Sequence, residues 1–160
     1  MSRLADDIVA RIRDEIVLID KETGEAVHAW KRATLNTEDA DYLLKAVALS
    51  LHTIYSGLER SFERIARRVD EHLPTGPAWH RDILFQMAAP YGDARPSVVS
   101  MEDAERLGAY VGFRHVVRNI HTHTLQPRRI GELVDDLPSV WDSVHEHLET
   151  WLDQMTRSVA

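Results

Sequence analysis

Arg114, Arg118 and His121 stand four and then three residues apart. On a helix that spacing puts all three on one face, within ~40° of one another around the axis. Three cationic or cationisable groups on one face repel, so fold stability alone does not favour them. Their surroundings sharpen the signal. Residues 106–131 contain no Asp or Glu, where the chain's average composition would give about four. The same stretch holds Arg106, Arg114, Arg118, Arg128 and Arg129 together with His115, His121 and His123. Arginine stays charged, and its forked N–H groups match two phosphoryl oxygens at once. Histidine titrates near neutrality and can take or give a proton. Together they suit cleavage of RNA by its own 2′-hydroxyl. That reaction needs a base for the hydroxyl proton, an acid for the 5′-oxygen and positive charge on the pentacoordinate phosphorus. Such a site needs no metal.

The competing reading is a basic stripe neutralised by a neighbouring helix, with Glu59, Glu63 and Asp70 available. Other candidates are weaker. Two His-x-His pairs occur, His121/His123 and His145/His147. Residues two apart lie ~200° around a helix axis, so neither pair chelates one metal from a regular helix. His145 and His147, set among Asp142, Glu146 and Glu149, read as a solvated face. Only at 121/123, where the helix ends before Pro127, can such a pair converge. Gly-rich phosphate loops, His-Glu-x-x-His and Asp/Asn-rich calcium loops are all missing from the sequence. Trp79 is expected in the core, and Arg60 is expected to pair locally.

The elements that must position these residues are helical. Leu4, Ile8, Ile12, Ile16 and Ile19 make one stripe, continued by Val27 and Trp30 past Gly24. Asn36, with Asp39 three residues on, resembles a helix cap. Leu43, Val47, Leu51, Ile54, Leu58, Phe62, Ile65 and Val69 predict a long amphipathic helix over 38–72, stopped by Pro74-Thr75-Gly76-Pro77. A shorter helix follows over 78–89. Ser100 with Asp103 caps a fourth, which runs to about His121. Gln126-Pro127 opens a last helical stretch, which Pro138 should kink or divide in two. No segment alternates like a strand. The spacing predicts an all-α, up-and-down bundle of four to five helices in a single domain spanning residues 1–160. Long helices with one apolar stripe each also predict a homodimer.

Composition narrows the function classes. Nineteen Lys and Arg against 26 Asp and Glu give a net charge of −7, which argues against wholesale electrostatic binding of nucleic acid or anionic lipid. With no cysteine there are no disulfides, thiolate zinc sites or Cys nucleophile, which fits a reducing cytoplasm. Met1–Arg13 mixes charged and apolar residues, unlike a secretory signal, and no apolar run reaches the ~18 residues of a membrane span.

Arg118-Asn119-Ile120-His121-Thr122-His123 fits the Arg-x4–6-His pattern of HEPN-domain ribonucleases. Tyr55 to Ala66, Trp79-His80-Arg81-Asp82-Ile83-Leu84, Arg95-Pro96 and Gly112 to Asn119 resemble, in order, segments of the HepT-like branch. The likeness covers roughly residues 40–150. It implies a helical HEPN domain that dimerises, with the Arg/His motifs of two protomers meeting in a cleft. It also implies a metal-independent endoribonuclease without cofactor, typically the toxin of a prokaryotic toxin–antitoxin pair. The antitoxin of this branch is a minimal nucleotidyltransferase that silences the toxin by adenylylating a tyrosine just after the motif. In the HepT-like register the motif Arg is Arg114, the motif His slot holds Asn119 and the tyrosine slot holds His121. The catalytic histidine is then His121, counted from Arg114, or His123, counted from Arg118. Arg128, Arg129 and His115 are the expected RNA-binding residues. A catalytically degenerate HEPN module that binds RNA or a nucleotidyltransferase is the alternative.

Overall fold

The computed structural model describes residues 3–35, 38–118 and 125–158. Five helices succeed one another: α1 (Arg3–Leu35), α2 (Ala40–Arg68), α3 (Trp79–Ala88), α4 (Met101–Arg118) and α5 (Pro127–Ser158). Among the described residues there is no strand, only an isolated bridge between Tyr91 and Arg95. No helix of these residues is long and apolar enough to cross a membrane. The chain folds as the all-α bundle its apolar spacing predicts. Ile8, Ile12, Ile16 and Ile19 of α1 are buried, as are Leu51, Leu58, Phe62 and Ile65 of α2 and Trp141, Val144, Leu148 and Trp151 of α5.

Contacts of α1 with α2 and α5, and of α4 with α5, run in opposite sequence order, so these pairs are antiparallel. Glu15 of α1 pairs with Arg60 of α2, while Ile19 lies beside Gly57. Arg13 pairs with Glu149 and Asp153 of α5, the Trp141 indole N–H donates to Asp20, and Trp30 rests on Gly131. A Cβ at position 131 would stand 2.5 Å from the Trp30 ring, so the close approach of α1 and α5 requires glycine there. From α4, Asp103 receives the Ser143 hydroxyl, Arg106 reaches Asp136, and the Tyr110 hydroxyl donates to the Leu133 carbonyl.

Two buried carboxylates tie the connections down. The Ser100 hydroxyl accepts the Asp103 backbone N–H at 3.0 Å, and Asp103 Oδ2 accepts the Ser100 N–H at 3.3 Å, a reciprocal cap on α4. The same carboxylate meets Ser143 at 2.7 Å and His147 Nδ1 at 2.8 Å, so one side chain joins the start of α4 to α5. Asp70, just past α2, holds the fully buried Arg95 guanidinium through both oxygens, at 2.6 and 2.7 Å. Arg95 also donates to the carbonyls of Gln86, Ala89 and Pro96.

Several expectations need correction. α5 is continuous through Pro138 rather than divided; Leu137, Val140 and Trp141 are buried beside it, and their packing outweighs one missing backbone hydrogen bond. α2 covers 40–68, shorter than 38–72 at both ends. At its C-terminal side Glu71 takes a positive φ of 52° and the chain turns away. Asp39 occupies the α2 N-cap without a side-chain cap bond, and Asn36 lies outside the described residues. Arg60 pairs with Glu15 of another helix rather than locally, because it faces α1. Trp79 is half-buried rather than in the core. His147 is bound to buried Asp103, and His145 stacks on Trp141, so neither sits on a purely solvated face.

Candidate active site

α2 carries His52, Tyr55 and Glu59 at i, i+3 and i+7, one stripe that faces α3 and α4. Glu59 is 4% exposed, and a carboxylate so deeply buried needs partners. It has two. Arg114 Nη1 of α4 lies 3.3 Å from Oε1, and His80 Nδ1 of α3 lies 2.6 Å from Oε2. Arg114 Nη1 also stands against the His80 imidazole, 2.8 Å from Nδ1 and 2.7 Å from Nε2. A carboxylate only accepts, so Nδ1 carries a His80 proton toward Glu59. Three helices therefore converge on a closed ring of Glu59, His80 and Arg114.

The surroundings hold this ring in place. The Trp79 indole lies against the His80 ring, with centroids 3.7 Å apart. The buried Tyr55 hydroxyl donates to the His80 carbonyl at 3.4 Å. Burial and, behind it, the Glu59 charge push the Tyr55 phenol well above its ordinary range, so it stays a donor. The Arg114 Nε–H is buried without a partner among the described residues.

One turn further along α4 the character changes. Arg118 is exposed and makes no ion pair or hydrogen bond among the described residues. On α2 the corresponding step, toward its N-terminus, leads to His52, whose Nδ1 is buried without a partner among the described residues. Burial first, then the charges of Arg114 and Arg118, lower the His52 pKa, opposed in part by Glu59. The site thus has a carboxylate-bound floor and an open, uncompensated cationic end.

The neutralised-stripe reading therefore holds for Arg114 and fails for Arg118. Glu63 turns to Arg67 and Asp70 to Arg95, and neither reaches Arg118. Arg128 and Arg129 lie exposed at the start of α5; Arg128 pairs with Glu132 at 3.1 Å, and Arg129 lies over Gly112 of α4. Arg106, the remaining arginine of the acid-free stretch described here, is bound to Asp136 and Ser139. Asn119, His121 and His123 lie outside the described residues, as does the His115 side chain. His52 and His80 were not singled out by sequence reasoning. A usable signal existed for His52: a titratable residue in register with Tyr55 and Glu59 along a helix otherwise apolar on that side. For His80 none did, because only the fold brings α3 to Glu59. Among the described residues no group of three His, Asp or Glu is arranged to hold a metal ion.

Residues 46–155 match the model of a family described as HepT-like protein, and that span contains every member of the site. No curated protein and no solved structure matches the chain.

Proposed function

The chain belongs to the HepT-like protein family, and on that premise we propose that it is a metal-independent endoribonuclease of toxin type. One observation carries the reading. An exposed arginine without a counter-ion among the described residues, Arg118, stands one helical turn beyond an arginine fixed by a buried carboxylate. Uncompensated positive charge held next to a rigid support is what a phosphodiester in its transition state requires. In this reading Arg118 and Arg114 take the phosphoryl oxygens, while His121 or His123 transfers protons. His115, Arg128 and Arg129 contact the flanking strand. Asn119, in the motif histidine slot, belongs to the same catalytic set.

The working unit is a homodimer in the cytoplasm, with the ends of α4 from both protomers flanking one cleft. Tyr42 and Leu49, 75% and 59% exposed on α2, supply an apolar face beside the site. A minimal nucleotidyltransferase is the antitoxin partner. Since position 121 is histidine, its control does not run through a phenol there. Tyr55 and Tyr110 are also closed to it, being buried with their hydroxyls bonded.

The test is incubation of the purified protein with end-labelled single-stranded RNA, with and without EDTA. Cleavage that survives EDTA and leaves 2′,3′-cyclic phosphate or its hydrolysis product is expected. Cleavage abolished by EDTA, or RNA bound and left intact, transfers the protein to the binding-module class.

A further inference from the structure

Attack by a 2′-hydroxyl needs one group to remove its proton and another to protonate the departing oxygen. The α4 motif and the residues after it are one source. A second lies on α3. We propose that His80 is the general base of this site, oriented by Glu59 and standing beside the Arg114 guanidinium that takes the substrate phosphate. This rests on the ribonuclease reading above and extends it to a residue outside the Arg-x4–6-His pattern.

Three observations carry it. First, the tautomer is set. Glu59 Oε2 sits 2.6 Å from Nδ1 and can only accept, so the lone pair is on Nε2, the nitrogen a base must use. Second, the location is right. Arg114 Nη1 lies against the imidazole, 2.7 Å from Nε2 and 2.8 Å from Nδ1, so a phosphoryl group gripped by that guanidinium brings its own ribose hydroxyl to the ring. The His80 side chain is 25% exposed and therefore reachable, whereas Glu59 behind it is buried. Third, the product state is provided for. Once Nε2 is protonated, the imidazolium lies directly on a carboxylate shielded from water, as in other carboxylate–histidine pairs.

The step balances. The 2′-O–H proton passes to Nε2 as the O2′–P bond forms. The P–O5′ bond breaks, and the departing oxygen takes a proton from solvent water. Arg114 keeps its ion pair with Glu59 and exchanges only its contact with the imidazole for a phosphoryl oxygen.

The experiment compares wild type, His80→Ala, His80→Gln and Glu59→Gln on the same labelled RNA, with thermal melting of each variant. General-base removal should lower kcat by ~10²–10⁴-fold in His80→Ala and His80→Gln, with KM little changed. Millimolar imidazole should restore part of the His80→Ala rate and leave Arg118→Ala unmoved. Glu59→Gln should lower kcat without imidazole rescue. A folded His80 variant that cleaves within twofold of wild type overturns the proposal. So does a large loss that imidazole does not restore in a variant melting like wild type, since that marks a positioning role. If wild type itself leaves RNA intact, the ribonuclease reading falls and this proposal with it; a normal His80 variant beside an active wild type removes this proposal alone.

Discussion

Arg114 and Arg118 occupy the same face of α4, yet their surroundings separate what each removal costs. Arg114→Ala strands Glu59 as a buried, half-neutralised carboxylate, so stability should fall by about 3–5 kcal/mol in urea unfolding, together with activity. Arg118→Ala strands nothing. Its stability should stay within about 0.5 kcal/mol of wild type while cleavage drops ~10²–10³-fold. Arg118→Lys should recover only part of that, because an ammonium cannot make the forked contact. Equal melting losses in the two alanine variants would contradict the separation drawn here between floor and open end. His52 makes a prediction in pH. Its folded pKa is held below the ordinary value of about 6.5, so below that pH the unfolded chain binds more protons than the folded one. Its contribution to stability is therefore intact above 6.5 and is lost as the pH falls. His52→Gln should flatten the slope of unfolding free energy between pH 6.5 and 5, measured by denaturant titration at each pH; an unchanged slope would show that His52 is not a source of it.

At the scale of elements, the glycines distinguish a helix that is merely continuous from one that is closely approached. Gly24 lies exposed within α1, and a Cβ there would meet nothing within 4 Å. Gly24→Ala should stabilise by about 0.5–1 kcal/mol, since alanine loses less backbone freedom on folding. Gly131→Ala has the opposite sign: the new methyl drives into the Trp30 ring and should cost about 1–3 kcal/mol. Melting temperatures that move in the same direction for both would show that α1 and α5 are not packed as described. These two sites also show what a sequence reveals. The 3.6-residue spacing from Ile8 to Ile19 makes the α1 stripe legible, because burial on one face leaves a periodic trace. Gly131 leaves no such trace, since its reason is a tryptophan about a hundred residues earlier in the chain. The ends of α2 and the undivided course of α5 through Pro138 are hard to read for the same cause: local signals there compete with tertiary packing that a local pattern does not record. Half of the candidate site was legible in this sense. The arginines announce themselves by charge and spacing along one helix, and Glu59 by its place as a carboxylate on the neighbouring one, whereas His80 acquires its partners only when three helices converge.

At the scale of the whole molecule, a chain of net charge −7 must confine its anion affinity to a small region, and a second protomer is the economical way to enlarge it. Arg118 and the α5 arginines Arg128 and Arg129 are exposed on one chain, but a single open arginine holds few phosphates. Two copies related by a twofold axis would present the set twice along one strand of RNA. The surface available for such pairing is on α2, where Tyr42 and Leu49 stand seven residues apart on one face. Leu49 lies one turn before His52, so that face runs directly into the open end of the site. Exposed leucine and tyrosine in register on a helix, bordering a charged cleft, mark an interface better than scattered apolar residues do. Wild type should therefore sediment at twice the chain mass of 18.3 kDa at micromolar concentration. Leu49→Glu places a charge in the proposed contact without touching the core, so it should remain folded, sediment as a monomer and cleave more slowly. A wild type that sediments as a monomer would remove the dimer. A Leu49→Glu protein that stays dimeric and fully active would move the interface to another face.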